Sequence, residues 1–262
     1  MPDPTVFTGI IDKYLPEPES SLVSGIIFGI NLDHKTIFYD QIKRVGLLHI
    51  VVLSGMNISL LSGLISTLTI RVGKRISLLL NMLIIIFFVA FVGIQAPILR
   101  AAFMSILTSV GTIFGKNTLT IYILILSAIC MIIIKPDWLT SISFQLSYAA
   151  TFGMLLFAPK SQPKGLLGYC LTDLRISIAA QIFTAPIIFL YFRQVSLISP
   201  LANLLVSWTI APIMIFGFLA ASLGKIHYAL GELFAFICFG LTHYIVIIIV
   251  TLSKPDFAFV QF

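Results

Sequence analysis

The sequence predicts an all-α polytopic membrane protein, a bundle of about eight transmembrane helices with a broken or re-entrant first helix and short N-terminal interfacial helices. Three observations predict it. Hydrophobic residues fill 59% of the 262 positions and charged residues only 10%, against about 45–50% and about 25% in soluble domains. From Gly46 onward, apolar runs of the length a bilayer requires, about 20 residues each, follow one another. The interruptions between them hold glycine, proline or charge, which break helices. The same composition excludes a disordered chain, which needs low hydrophobicity and high net charge.

The N-terminal segment 1–46 differs from the rest and reads as an extracytoplasmic or interfacial region. It carries Asp3, Asp12, Glu17, Glu19, Asp33 and Asp40 against Lys13, Lys35, Lys43 and Arg44. Residues 1–19 are polar and acidic, so no secretory signal peptide is expected there. The apolar stretch 22–30 is too short to cross. It suits the interface, as does 35–45, where Ile37, Phe38 and Ile42 stand among charges. The membrane region 47–262 then supplies spans at roughly 47–70, 76–94, 97–114, 118–134, 139–158, 176–192, 198–222 and 229–252. The longest loop after the first span is about 160–175, too short for a soluble catalytic domain.

Lys and Arg total 16 against 10 acidic residues, a net charge of +6. Cytoplasmic loops of membrane proteins are rich in both cations. Alternating the loops puts Arg71, Lys74, Arg75, Lys116, Lys160, Lys164, Arg175 and Lys225 on one side. Lys43, Arg44, Lys135, Arg193 and Lys254 fall on the other. Eight against five makes the first side cytoplasmic, with both chain ends outside. Cys130, Cys170 and Cys238 are too dispersed for a disulfide framework or a zinc spacing.

Most catalytic classes are disfavoured. The nearest approach to a phosphate-binding loop, Gly111 to Asn117, is one residue short and ends in Asn rather than a hydroxyl residue. His34, His49, His227 and His243 have no metal-site spacing, and no nucleophile elbow occurs. No catalytic residue, metal ligand or cofactor is expected, and the chain is not expected to be an enzyme.

Polar residues inside the spans are therefore the candidate functional residues, because ionisable groups in hydrocarbon usually face a partner or an aqueous path. Arg100 lies about one turn into the third span, after Pro97 at a helix start. Its fork could hold a phosphate or carboxylate, or snorkel to headgroups. Glu232, Phe236, Phe239 and His243 share one face of the last span at 4, 3, 4 spacing, with the two ionisable ends about 16 Å apart. They are a candidate proton relay, or else a near-interface Glu232 and a His243 bonded to a neighbouring helix. Ser141, Gln145, Tyr148 and Phe152 repeat that spacing on the fifth span, as a substrate-contact stripe or as helix glue. In the first span Gly55, Ser59 and Gly63 form a close-packing stripe. His49 and the Ser54-Gly55-Met56-Asn57 cluster suit a broken helix at a binding site.

These segments also resemble a known family. Gly46-Leu-Leu-His49-Ile-Val-Val-Leu-Ser54-Gly55-Met-Asn57 resembles the GLSHLLAISGLHV signature of the competence domain of ComEC-type DNA-internalisation proteins. The segment from Gly93 through Pro97, Arg100 and Ala101 to Met104 is similar to that family's G-x-x-x-P-x-x-R-A-x-x-M. Phe144-Gln145-Leu146-Ser147-Tyr148 is similar to its F-Q-L-S-F, and Ala202-Asn203-Leu204-Leu205 to its A-N-L-L. The likeness runs over about 10–255 and makes 47–262 a competence-domain channel. It departs at Asn57, where the family signature has a second histidine. The oligonucleotide-binding-like and metallo-β-lactamase-like domains of larger members have no counterpart here. The expectation is a stand-alone channel, half of a split system or a reduced gene product.

The resemblance implies a multi-pass permease of the bacterial inner membrane that passes single-stranded DNA into the cytoplasm during natural transformation. The DNA path would be Arg100, Gln145, Tyr148, His49, Ser54, Asn57 and Asn203. Membrane lipid, a cytoplasmic ATP-driven DNA translocase, a DNA-binding receptor, a separate nuclease and a second copy of the chain are the implied partners. Two alternatives stay open on the residues alone: a proton-coupled secondary transporter of a small solute, and a non-transporting remnant of a longer DNA-uptake protein.

Overall fold

The computed structural model describes residues 5–30, 32–51, 55–93, 95–115, 119–157, 165–254 and 259–261. Among them, five helices are long and apolar enough to cross a bilayer: Lys74–Val92, Ala96–Ile113, Leu167–Tyr191, Ser199–Gly224 and Tyr228–Leu252. Each expected span has its helix. The first is represented by α4 (Leu48–Val51) and α5 (Gly55–Thr69), and the expected break between them, at 52–54, lies outside the described residues. The chain folds as two compact units. One comprises Met1–Leu53, Lys164–Ser177 and Tyr191–Phe262, the other Ser54–Pro163 and Ile178–Leu190.

The first unit is organised by a helical hairpin, α11 (Ser199–Gly224) and α12 (Tyr228–Leu252). The buried positions of α12 are Gly231, Ala235, Cys238, Thr242, Ile245 and Ile249. They alternate in steps of four and three, the seam of two closely wound helices. Small residues there and at Ala202, Gly217, Ala220 and Ala221 of α11 let the backbones approach, which drives helix association in lipid. Against this hairpin pack α1 (Thr5–Ile11), α2 (Glu19–Phe28) and α3 (Ile37–Val45). Strands β1 (Gln194–Ser196) and β2 (Phe259–Gln261) pair antiparallel, with Val195 opposite Val260.

α3 has the expected amphipathic form, burying Ile42 and Val45 beneath Asp40, Lys43 and Arg44. Thr36 caps it by accepting from the Tyr39 amide at 3.2 Å. Gly46 ends it at a left-handed φ of 79°, with a Cβ there falling 2.8 Å from that of Ser199. α2 is the helix of the apolar stretch 22–30. It buries every residue from Glu19 to Phe28 except Ser21, packed against both hairpin helices. A helix too short to span the bilayer has here satisfied its apolar surface on all sides with protein.

In the second unit α5 packs on α6 (Lys74–Val92) and α7 (Ala96–Ile113), and α7 packs on α8 (Thr120–Ile134) and α9 (Ile142–Phe157). Pro97 occupies the first turn of α7 as expected. Ala96, Met131 and Phe144 form a core with Phe103, Trp138 and Tyr148 around it. Asn81 of α6 donates to Ser62 of α5 at 2.9 Å. Among the described residues α5, α8 and α9 run for 15, 15 and 16 residues, about 22–24 Å, against a hydrocarbon core of about 30 Å.

α10 (Gly165–Phe192) begins well before the expected 176 and absorbs most of the predicted loop. Asp173 and Arg175 lie inside it. Inside a helix the carboxylate is tolerated because Ser207 of α11 donates to it at 2.9 Å.

Candidate functional site

Arg100 is the centre of the site in the second unit. It lies in the second turn of α7 and is only 8% exposed. Its Nε donates to Ser147 Oγ of α9 at 2.7 Å and its Nη1 to Met104 Sδ at 3.4 Å. The guanidinium carbon stands 6.0 Å from the Tyr148 ring centre, within cation–π range. The partners are a hydroxyl, a thioether and a ring face, and among the described residues no carboxylate pairs with the charge.

Gly55, the first residue of α5, makes room for this arrangement. A Cβ there would overlap Arg100 Nη2 and come 3.2 Å from the Ala101 Cβ. Gly63 lies open, with nothing within 4 Å of where its Cβ would be. The expected close-packing stripe therefore holds at Gly55 and not at Gly63. Asn57 is buried at 1% exposure in the first turn of α5, and Ser54 lies outside the described residues.

The polar stripe on α9 divides its tasks. Tyr148 OH lies 3.0 Å from Ser127 Oγ and 3.3 Å from Met131 Sδ, while its ring packs 4.4 Å from that of Phe144. Gln145 donates to the Leu139 carbonyl at 3.1 Å, closing the turn before α9. Phe152 meets Phe183 edge to face. The residue that sequence reasoning passed over is Ser147, which aims the arginine. It stood within the quoted Phe-Gln-Leu-Ser-Tyr segment, but a serine in a helix carries no signal of its own.

A second polar group belongs to the first unit and joins His49 with Asn203, both expected on the path. His49 Nδ1 lies 3.1 Å from the Gly46 carbonyl, a contact that requires Nδ1 to carry the proton. The imidazole also hydrogen-bonds the Asn203 side chain. Asn203 donates to Ser177 Oγ at 2.7 Å, and Ser199 donates to the Gly46 carbonyl at 3.3 Å. Ser199, Asn203 and Ser207 recur every fourth residue on α11, matched by Ser177 and Asp173 on α10. The result is a ladder of polar contacts about 12 Å long, in which Asp173, Ser177, Ser199 and Ser207 are additions to the expected set.

Glu232 and His243 do not pair with each other. His243 Nδ1 meets Glu19 Oε1 of α2 at 2.8 Å, with the imidazole 51% exposed and the carboxylate 5% exposed. Glu232 is exposed in the second turn of α12. Burial, then the neighbouring Tyr228 and Glu232, push the Tyr14 phenol above its ordinary range. It therefore stays protonated and donates to the Tyr228 carbonyl at 3.0 Å. Around Glu19, Ser20 donates to Asp12 at 2.8 Å and Ser21 to Glu17 at 2.8 Å. Among the described residues no three His, Cys, Asp or Glu side chains cluster as metal ligands.

Comparison with known proteins bears on the whole arrangement. ComE operon protein 3 of Bacillus subtilis (strain 168) is 27% identical over 231 residues, covering 85% of this chain and 29% of that protein. The chain thus spans less than a third of that relative's length. No solved structure matches it. The family model described as "Competence protein" matches residues 26–262, and the chain belongs to that Competence protein family.

Proposed function

We propose that this chain is the channel part of a competence system, a multi-pass protein of the bacterial inner membrane that passes a single DNA strand into the cytoplasm. The observation that carries the reading is Arg100, a permanently charged fork buried in an apolar bundle with no carboxylate partner among the described residues. Such a residue is costly in a membrane and suits contact with a passing anion. Membership of the Competence family and five helices able to cross a bilayer support the same conclusion.

A strand in transit must bind and then leave. Conduction requires sites strong enough to admit the substrate and weak enough to release it. The buried guanidinium of Arg100 with the Gln145 and Asn57 amides, and separately the His49 imidazole with the Asn203 amide, meet that requirement better than a dense basic groove would. Tyr148 offers a face for base stacking, worth about 1–3 kcal/mol per base. In this reading the chain itself makes and breaks no bonds. A cytoplasmic ATP-driven translocase pulls the strand, a DNA-binding receptor delivers it and a separate nuclease removes its complement.

The test is labelled-DNA uptake in the source organism. Deletion of the gene is expected to leave DNA bound at the cell but outside the cytoplasm. Unchanged cytoplasmic entry in the deletion strain would overturn the proposal.

A further inference from the structure

We infer that one end of the first unit is a capture surface for the phosphate backbone of a DNA strand, formed by Lys43, Arg44, Arg193 and Lys254 at the head of the polar ladder on α11. The inference rests on the channel reading and deepens it by naming where the strand is first held. The fold brings these cations together from three stretches of chain, all within the first unit. A Cβ on Gly46 would fall 2.8 Å from the Ser199 Cβ and 2.9 Å from that of Ser196. Lys43 and Arg44 close α3 just before Gly46. Arg193 precedes Ser196 by three residues, a reach of at most about 10 Å. The hairpin helices α11 and α12, of 26 and 25 residues, run about 37 and 36 Å. Lys254, just past α12, therefore lies level with the start of α11. Arg44, Arg193 and Lys254 are exposed and Lys43 is half-buried.

Three observations favour a strand over a lipid surface. By the alternation of loops these residues belong to the cation-poorer side, where membrane proteins carry few Lys and Arg, yet four of its five cations gather here. Arg193 holds a φ of 53°, a left-handed conformation that costs any residue with a Cβ and persists where function demands it. Snorkelling to headgroups makes no such demand on the backbone. Finally, the surface opens on polar ground. The Gly46 carbonyl accepts from Ser199 at 3.3 Å and lies 3.1 Å from His49 Nδ1. Asn203 and Ser207 continue the ladder one and two turns further along α11. The acids nearest to the cluster in sequence are Asp40 and Asp256, the latter outside the described residues. Dense positive charge suits a mouth, because it draws a polyanion from a distance, whereas sparse contacts suit the passage beyond.

The full chain in phosphatidylcholine nanodiscs would be titrated with fluorescent single-stranded oligothymidylate over a range of potassium chloride concentrations. Each phosphate contact to a single strand contributes about −0.7 to the slope of log K against log salt. Replacing all four cations with Gln is expected to flatten the slope by about 2.8. Arg193→Gly is expected to flatten it by about 0.7 and to weaken binding about fivefold at 0.1 M salt. It is also expected to melt no lower than wild type, because glycine accepts the left-handed backbone freely, so it carries the test if the fourfold variant fails to fold. Gln at Arg71, Lys74 and Arg75, which belong to the opposite set, is expected to leave the slope unchanged. An unchanged slope in the folded fourfold variant or in Arg193→Gly overturns the inference. So does an equal loss per cation in the Arg71, Lys74 and Arg75 variant, which would mark generic attraction. In nanodiscs containing phosphatidylglycerol, native mass spectrometry follows retained lipid; loss of that lipid with unaltered strand binding makes the cations headgroup anchors and also overturns the inference. Failure of the channel reading is scored separately, by DNA uptake in the deletion strain.

Discussion

The pair between Glu19 and His243 fastens α2 to α12 across 224 positions of sequence, and its worth can be derived from its exposure. The Nδ1 to Oε1 distance is 2.8 Å, with the carboxylate 5% and the imidazole 51% exposed. Fully exposed pairs contribute about 0.2–1 kcal/mol. Removing one partner of a fully buried pair costs about 3–5 kcal/mol, chiefly because the other is left buried and alone. This pair lies between those limits, and it is asymmetric. His243→Ala strands a buried carboxylate and is expected to destabilise by about 2–3 kcal/mol. Glu19→Ala leaves a half-exposed imidazole that lipid headgroups or water can solvate, and is expected to cost less than about 1 kcal/mol. The double variant should resemble Glu19→Ala, giving a coupling energy about as large as the His243→Ala cost, about 2–3 kcal/mol. Equilibrium unfolding in mixed micelles of dodecyl maltoside and dodecyl sulfate measures all four proteins. A coupling near zero, or a Glu19 variant more damaged than the His243 variant, would refute the reasoning.

Three further outcomes follow from single contacts. Gly153→Ala puts a Cβ 2.6 Å from Phe183 Cδ2 and 2.7 Å from the Ala179 carbonyl; a cost of about 1–3 kcal/mol is expected for overpacking, and an unchanged melting temperature would contradict it. Asn203→Ala removes the acceptor–donor link between His49 and Ser177 and is expected to cost about 1–3 kcal/mol, whereas Asp173→Asn keeps an oxygen for Ser207 and should melt within a degree or two of wild type. Tyr148→Phe loses only the hydroxyl contacts to Ser127 and Met131 and is expected to cost about 0.5–1.5 kcal/mol in the same unfolding assay, with the ring still packed on Phe144.

The spans were legible because hydrophobic length and helix breakers act locally. Pro97 opens α7 and Gly73, Gly93 and Gly115 mark helix ends for reasons contained in a few neighbouring residues. The start of α10 was not legible because charge interrupts the apolar run of 160–175, and its near neighbours offer no visible partner to Asp173. Its partner, Ser207, lies 34 positions away. The apolar residues of α2 indicate burial, but not that the α11–α12 hairpin provides it. Arg100 stood out in the sequence as a fixed charge in an apolar run. What holds it, Ser147 at Nε and the absent Cβ of Gly55 at Nη2, depends on how three helices meet. The same holds for His243, whose face on α12 was foreseen but whose partner, Glu19, was not.

The central claim is that a buried guanidinium handles an incoming DNA strand. Its most direct test is delivery of labelled DNA to the cytoplasm in a deletion strain complemented with wild type or with Arg100→Ala, at matched membrane levels. Restoration by wild type and failure of Arg100→Ala, with DNA held outside the cytoplasm, is the predicted result. Full restoration by Arg100→Ala would contradict the account.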